Sequence, residues 1–464
     1  PDLRDQMWTN EAELNGQPGV DDDGNGYVDD IHGYDFANDD GDPMDCHSHG
    51  THTAGTIGAS HNAIGVAGVM RDVQFVGVKF LTDSGSGSTE HAIKSIDYAT
   101  KVGVDIMSNS WGGGGRSEAL QEAIERANDA GIVFTAAAGN SSTDNDSRPQ
   151  YPSNYNVDNV ISVAATTAAD ELASFSCYGR STVHIGAPGH EILSTVKNGG
   201  YASYSGTSMA CPGIAGTMAQ LYQAYKDLNN GQNPSSALMK CLLLNSADDI
   251  GNAGPDFKHG WGEVNAFRAV KILENNQYFS SSVSQSGNNY HNITVPSGTK
   301  KIKVMVYWHD KEASVNSSIA LVNDINITLT TPTSSTYNPW VLDYAPNATN
   351  LDQPATRGVD DRNNMEQLTI TNPSSGSYTL NINGFAIPYG PQEYWVTYEF
   401  LTDDVQLTYP IGGEGLVSGE SEYIRWDAHG TSGNFTLEYS INSGANWSTI
   451  TTSTSGSARH YIWT

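Results

Sequence analysis

The sequence predicts an α/β domain built on a parallel sheet, followed by two all-β segments. Three observations carry this. Apolar, β-branched runs at residues 73–81, 104–107, 132–138 and 160–165 are separated by stretches of helical period such as 91–102. From about residue 276 the texture changes to Ser, Thr, Asn and Gly alternating with apolar residues, as in Lys303-Val304-Met305-Val306-Tyr307 and Tyr378-Thr379-Leu380-Asn381-Ile382. A second shift near Asp403 opens a segment whose strand patterns at 423–426 and 435–439, with the turn Asn442-Ser443-Gly444, predict a small β-sandwich. The expected divisions are 1–275, 276–402 and 403–464, in keeping with about 100–200 residues per domain.

One helix of the first segment is punctuated at both ends: Ser117 caps its start, Leu120, Ile124 and Ala127 make its apolar stripe, and Gly131 ends it. Composition limits the function classes. With 52 Asp+Glu against 23 Lys+Arg the net charge is −29, which repels phosphate backbones and anionic lipid, so neither nucleic acid nor a membrane is expected as partner. Such acidity suits cation binding. The four cysteines allow three pairings that the sequence does not rank. The chain opens at Pro1 without a Met or an apolar leader and closes at Trp463-Thr464 within a strand pattern, so it reads as part of a longer polypeptide.

Two short segments carry chemistry. The first is Cys46-His47-Ser48-His49-Gly50-Thr51-His52-Thr53-Ala54-Gly55; the second is Ser205-Gly206-Thr207-Ser208-Met209-Ala210-Cys211-Pro212, which opens an apolar helix through Ile214, Ala215, Met218 and Leu221. A hydroxyl at a helix start meets unpaired N–H groups and a positive dipole, which favour the negative charge of acyl transfer. It still needs a base, and His49 is the natural one.

His-Gly-Thr-His-x-Ala-Gly and Gly-Thr-Ser-Met-Ala-x-Pro closely resemble the His and Ser signatures of the subtilisin-like serine proteases, the subtilases, and stand here in that family's order over roughly residues 1–273. The resemblance implies a subtilisin-like parallel sheet with helices on both faces and a secreted, monomeric endopeptidase acting on proteins and peptides. It implies that Ser208 is the nucleophile, that His49 is the general base, and that Asn140, in Ala136-Ala137-Ala138-Gly139-Asn140, donates to the oxyanion. Ser110, Trp111 and Gly112, with Gly139, match the segments that bind substrate as an added strand. Gln150, before Tyr151-Pro152, stands where relatives often have Gly at the floor of the specificity pocket. One departure matters: the family's catalytic Asp precedes a His-Pro-Asp-Leu sequence, and this chain starts at Pro1-Asp2-Leu3, so that Asp is expected upstream.

Ten Asp and no Lys or Arg occur between Asp21 and Asp45. Asp21, Asp23, Asn25, Gly26 and Tyr27 follow the first seven positions of an EF-hand loop, and Asp29 takes the ninth. His32 stands where the bidentate Glu belongs, so the expectation is a Ca2+ loop of related design, with Asp30 or Asp35 completing the shell. Related subtilases carry calcium loops in this region. The stretch 278–401 resembles the jelly-roll domain, related to the convertase P-domain, that follows some bacterial alkaline subtilases; Val306-Tyr307-Trp308, Leu321-Val322-Asn323-Asp324 and Asp360-Asp361-Arg362-Asn363-Asn364-Met365-Glu366 carry that likeness. Asp324, Asp361 and Glu366 are either calcium ligands there or solvated turn carboxylates.

Plainer readings stand beside these. Cys46, His47, His49 and His52 could form a zinc site, although zinc would leave the Ser208 and Asn140 motifs without purpose. Trp111 could simply pack, the Asp run could be solvated surface, and Cys211 reads as a small core residue. The alternative function is a non-catalytic, calcium-stabilised binding or adhesion protein that keeps a protease shell.

Overall fold

The computed structural model describes residues 2–179, 182–314, 317, 319–344, 351–412, 414–429 and 433–464; Pro1 lies outside them. Strands β1 (Gly33–Asp35) and β2 (Gly77–Lys79) form one parallel pair, and β3 (Ile106–Asn109), β4 (Val133–Ala137), β5 (Val160–Thr166) and β6 (Ile185–Pro188) form a four-stranded parallel sheet in that order. Every residue of β4 and β5 is buried, as near-continuous apolar strands covered on both faces must be. The expected strand at 73–81 shrinks to Gly77–Lys79, since β2 pairs with β1 alone. A hairpin of β7 (Ile192–Val196) and β8 (Gly200–Tyr204), which no sequence signal announced, lies outside this sheet.

Helices α1 (Glu11–Leu14), α2 (His49–Gly58), α3 (Thr89–Val102), α4 (Glu118–Asp129), α5 (Thr207–Leu228), α6 (Ser236–Ser246) and α7 (Ala266–Glu274) accompany these strands. In α4 the Ser117 hydroxyl accepts the Leu120 N–H, the stripe Leu120, Ile124 and Ala127 is buried, and Gly131 takes φ 77° while its N–H closes on Asn128 O at 2.8 Å.

The β-rich part begins with β9 (Tyr278–Val283), β10 (Asn288–Val295), β11 (Lys301–Tyr307) and β12 (Asp324–Thr330). The short strands β13 (Thr336–Tyr337), β14 (Trp340–Val341) and β15 (Thr356–Arg357) lead into β16 (Met365–Thr371), β17 (Gly376–Ala386) and β18 (Gln392–Leu401). Two antiparallel sheets, β10-β17-β12-β13 and β16-β11-β18-β9, close on a core of Ile302, Val304, Val306, Trp308, Ile327, Leu380 and Val396. Last come β19 (Val405–Tyr409), β20 (Glu422–Ala428), β21 (Asn434–Tyr439), β22 (Ser448–Ser455) and β23 (His460–Trp463), paired as β19-β20-β23 and β21-β22 around Ile424, Trp426 and Leu437.

The two larger parts share an interior. All eleven residues of α6 are buried, and the cluster that holds Leu238, Leu242 and Ile214 also holds Met305 and Tyr307 of β11. An ionic network crosses the same boundary. The Arg268 guanidinium of α7 meets Glu399 of β18 at 2.9 Å and also Asp248, and Lys303 of β11 lies 3.1 Å from Glu399 and donates to Ala247 O at 2.7 Å. Burial pushes the Glu399 carboxyl up, but Arg268 and Lys303 outweigh it and hold it below the ordinary value, while burial pulls Lys303 down to about 8. Glu399→Gln removes the shared anion, leaving Lys303 in the interior without a carboxylate partner and Arg268 with Asp248 alone. It is expected to cost about 3–5 kcal/mol in denaturant unfolding, the range for breaking a buried ion pair from one side.

Candidate active site

Ser208 sits in the first turn of α5, and one missing hydrogen bond explains how it is held. Pro212 has no N–H to offer the carbonyl four residues back, which is that of Ser208. The Ser110 hydroxyl fills the place, donating to Ser208 O at 2.8 Å, and the Ser208 hydroxyl donates in return to Ser110 O at 3.2 Å. Helix start and β3 edge are thus pinned together through two serines.

Asn140 follows the end of β4. Its Oδ1 accepts both the Thr207 N–H at 2.8 Å and the Thr207 hydroxyl at 2.9 Å, leaving Nδ2 as the donor beside Gly206. Thr207 Oγ1 also accepts the Gly139 N–H at 3.1 Å. Gly139 is required here: its φ is 110°, and a Cβ would stand 3.1 Å from Cys177 Sγ and from the Gln150 side chain. Gln150, Gly139, Asn140 and Ser208 line one cleft with His49, Ser110, Trp111 and Gly112. Trp111 also packs: its ring meets Phe80 edge-on at 4.9 Å and its N–H donates to Asn109 Oδ1 at 3.0 Å. Met209 is only 2% exposed, turned into the core while its neighbour faces the cleft.

His49 opens α2, and the anchor of that helix start is Asp45, which sequence reasoning counted only as one of the acidic run. Asp45 Oδ1 accepts the N–H groups of His47 at 2.7 Å and Ser48 at 3.0 Å, and Oδ2 accepts the Thr51 N–H and hydroxyl, both at 2.7 Å. It satisfies backbone donors that Ser48, at φ 86° and without a side-chain cap, leaves open. Burial, then the neighbouring His47, lowers the His49 pKa against the opposing pull of Asp45. Among the described residues no carboxylate accepts a hydrogen bond from His49. Asp2 is engaged elsewhere, by the Tyr201 hydroxyl at 2.5 Å and Asn62 at 3.2 Å. The zinc reading finds no cluster: His52 Nε2 faces the carbonyls of Ile192 and Ala202 at 3.0 and 3.1 Å, and its ring stacks on Tyr204.

The cleft runs on between β2 and β3, and the whole forms one cavity of about 2010 Å³ whose lining there includes Ile57, Ile96, Ala99 and Ala215. The two parallel sheets are unjoined across it.

In the acidic loop the structure brings together Asp23, Asp30 and a residue the sequence reading missed, Glu13 of α1, with one carboxylate oxygen of each within 4.8 Å of the others. Asp30 is wholly buried. Burial raises its pKa although Tyr98, Asn25 and Asn10 all donate to it, at 2.7, 2.9 and 3.0 Å. Asn10 and Asn25 also reach Asp23, at 2.9 and 3.1 Å. Asp21 and Asp29 instead accept backbone N–H groups, of Asn25 and Gly26 for the first and Gly19 for the second, while Tyr27 joins an aromatic cluster with Tyr34, Phe36 and Tyr98. Asp35 is committed to Lys79 at 2.6 Å. Glu13 is far from the Asp run in pattern but near in space, because α1 folds back over the loop and Glu13 accepts the N–H groups of Asp22 and Asp29.

A family model described as the subtilase family matches residues 1–262. The chain belongs to the subtilase family. It is therefore a serine endopeptidase of the subtilisin type by descent. Thermitase of Thermoactinomyces vulgaris is 37% identical over 242 residues, covering 52% of this chain and 81% of that protein. Subtilisin DY of Bacillus licheniformis is 36% identical over 242 residues, or 52% and 84%, and the thermophilic serine proteinase of Bacillus sp. strain AK1 is 38% identical over 241 residues, or 52% and 56%. No helix among the described residues is long and apolar enough to cross a membrane.

Replacing Asp45 by Ala removes the anchor of α2. Urea unfolding should register a loss of about 1 kcal/mol, the usual worth of a helix cap, with Asp45→Asn retaining part of it.

Proposed function

We propose that this chain is the peptide-bond-cleaving part of a secreted, monomeric endopeptidase that acts on proteins. The observation that carries the reading is the shared cleft in which Ser208 lies at the start of α5, Asn140 presents its Nδ2, and His49 stands on the facing helix. In that arrangement His49 takes the hydroxyl proton as Ser208 Oγ forms a bond to the scissile carbonyl carbon. The carbonyl oxygen becomes an oxyanion, received by Asn140 Nδ2 and the Ser208 N–H. His49 then returns the proton to the leaving amine as the C–N bond breaks, and water releases the acyl group by the same route. Ser110, Trp111, Gly112 and Gly139 would align the substrate backbone, and the Gln150 side chain beside Gly139 would favour small side chains at the cleavage position.

A carboxylate is still needed to fix the tautomer of His49 and stabilise its cation. The trough between β2 and β3 suits a parallel strand delivering one, since both flanking edges lie unjoined across it and Ile57, Ile96, Ala99 and Ala215 line it.

The alternative, a calcium-stabilised protein without catalysis, is favoured by one contact: the Ser208 hydroxyl donates to Ser110 O, not to His49. The two readings separate on labelling. For the active reading, a fluorophosphonate labels the chain with its acid restored, and Ser208→Ala abolishes both labelling and turnover of casein; labelling that survives the substitution rejects Ser208 as nucleophile.

The Ca2+ site of this reading centres on Glu13, Asp23 and Asp30, with the Asn25 amide and the Tyr27 carbonyl within the same loop, and with Asp21 and Asp29 supporting its turns. Hard oxygen donors and a fully buried carboxylate suit calcium, which would neutralise Asp30. Chelation is expected to lower the melting temperature. At a hundredfold excess of calcium over Kd the loss is about 2.7 kcal/mol, restored by calcium but not zinc.

A further inference from the structure

One sheet of the first β-rich part turns an almost uncharged face outward, in a chain whose net charge is −29. In β10, β17 and β12 the side chains alternate: Ile293, Leu380, Ile382, Ile327 and Leu329 enter the core, so the residues between them face away from it. Strand register sets those outward residues in three rows. Asn288, Asn383 and Asn326 form the first, Tyr290, Asn381 and Thr328 the second, and Asn292, Thr379 and Thr330 the third, which Thr336 of β13 extends. Every member is an amide, a hydroxyl or a phenol. Among the described residues the one charged group at an outward position of these strands is Asp324, at the start of β12.

The rows are organised by their own side chains. Asn383 Nδ2 donates to Asn288 Oδ1 at 3.1 Å, Thr379 Oγ1 donates to Asn292 Oδ1 at 3.3 Å, and the hydroxyls of Thr330 and Thr336 lie 3.3 Å apart. An aromatic ring stands in the middle row, where Tyr290 is 68% exposed, and Phe385, 62% exposed, follows two residues after Asn383 on β17.

We propose that this face binds an uncharged polysaccharide. An anionic polymer is held by cations, and the rows contain none. A protein partner docks on a patch with an apolar centre, and the rows contain no aliphatic side chain. A neutral sugar chain matches what is there: its ring C–H faces stack on an exposed aromatic, and its hydroxyls both donate and accept, as Asn amides and Thr hydroxyls do. The cross-strand hydrogen bonds hold the amides in place beforehand, which lowers the ordering cost of binding. The opposite sheet, through Met305 and Tyr307 of β11, is the one that packs against the α/β part. A polymer held on the outer face therefore tethers the chain without entering the cleft of Ser208.

The test is isothermal titration of the full chain with hydroxyethyl cellulose, mixed-linkage β-glucan and galactomannan, each at low and at high salt. Binding to at least one of the three is expected, with an affinity that salt leaves unchanged. The double variant Tyr290→Ala/Asn381→Ala should weaken it about tenfold or more, as loss of a central aromatic anchor does. Its urea midpoint and casein turnover should stay those of the parent, since both residues lie on the surface sheet and away from the cleft. The proposal is overturned if none of the three polymers binds, if binding disappears at high salt, or if the folded double variant binds as the parent does.

Discussion

The close approach of two helices is the constraint on which this active-site arrangement rests. Helix α5 carries Ser208 and α2 carries His49, and they can share one cleft only if their backbones come near. Gly216 permits it: a Cβ there would stand 2.7 Å from Val69 and 3.2 Å from the Ile57 carbonyl of α2. On its other side α2 is pressed to β7, where a Cβ on Gly55 would meet the Thr195 and Ser194 hydroxyls. Those hydroxyls donate to the carbonyls of Thr51 and His52, so the helix is clamped by hydrogen bonds and by the absence of side-chain bulk together. Everything local to the site, including the serine pair and the Asp45 anchor, refines a spacing that these two glycines make available.

What the sequence revealed and what it hid follow a physical rule. Motifs were legible where function demands specific residues next to one another in the chain, as in Gly206-Thr207-Ser208 and Gly139-Asn140. Helix α4 was legible because its cap, stripe and terminating glycine are all local. Partnerships across long separations were not. Ser110 answers a carbonyl freed by Pro212, about a hundred residues away, and no periodicity in either segment announces it. Glu13 joins Asp23 and Asp30 only because α1 folds back; the acidic loop scanned alone offered Asp21 and Asp29 as ligands with Asp30 or Asp35 completing the shell, and the oxygens of Asp21 and Asp29 accept backbone N–H groups instead. The strand expected across 73–81 narrowed to three residues because apolar sequence supplies a strand's propensity but not its neighbour.

Charge is used in two opposite ways in this chain. At the boundary between the α/β part and the first β-rich part, Arg268, Lys303, Glu399 and Asp248 compensate one another within the protein. In the Glu13 loop the carboxylates of Glu13, Asp23 and Asp30 gather and meet neutral donors, the Asn10 and Asn25 amides and the Tyr98 hydroxyl. The overall charge of −29 is therefore unevenly distributed in its consequences, with some acids paired to cations and others held by neutral donors alone.

The complete burial of α6 bears on how the molecule comes apart. A helix with no exposed face cannot be finished by either of the parts it lies between: its leucines need the α5 and α7 side, and Cys241 and Asn245 need the backbone and hydroxyl of Thr397 on β18. Neither part can therefore unravel alone without opening a wet apolar surface against the other. The α/β part and the first β-rich part are bound into a single cooperative unit, whose local openings are confined to the rims, and a protease nicking a surface loop would find the two pieces still holding each other.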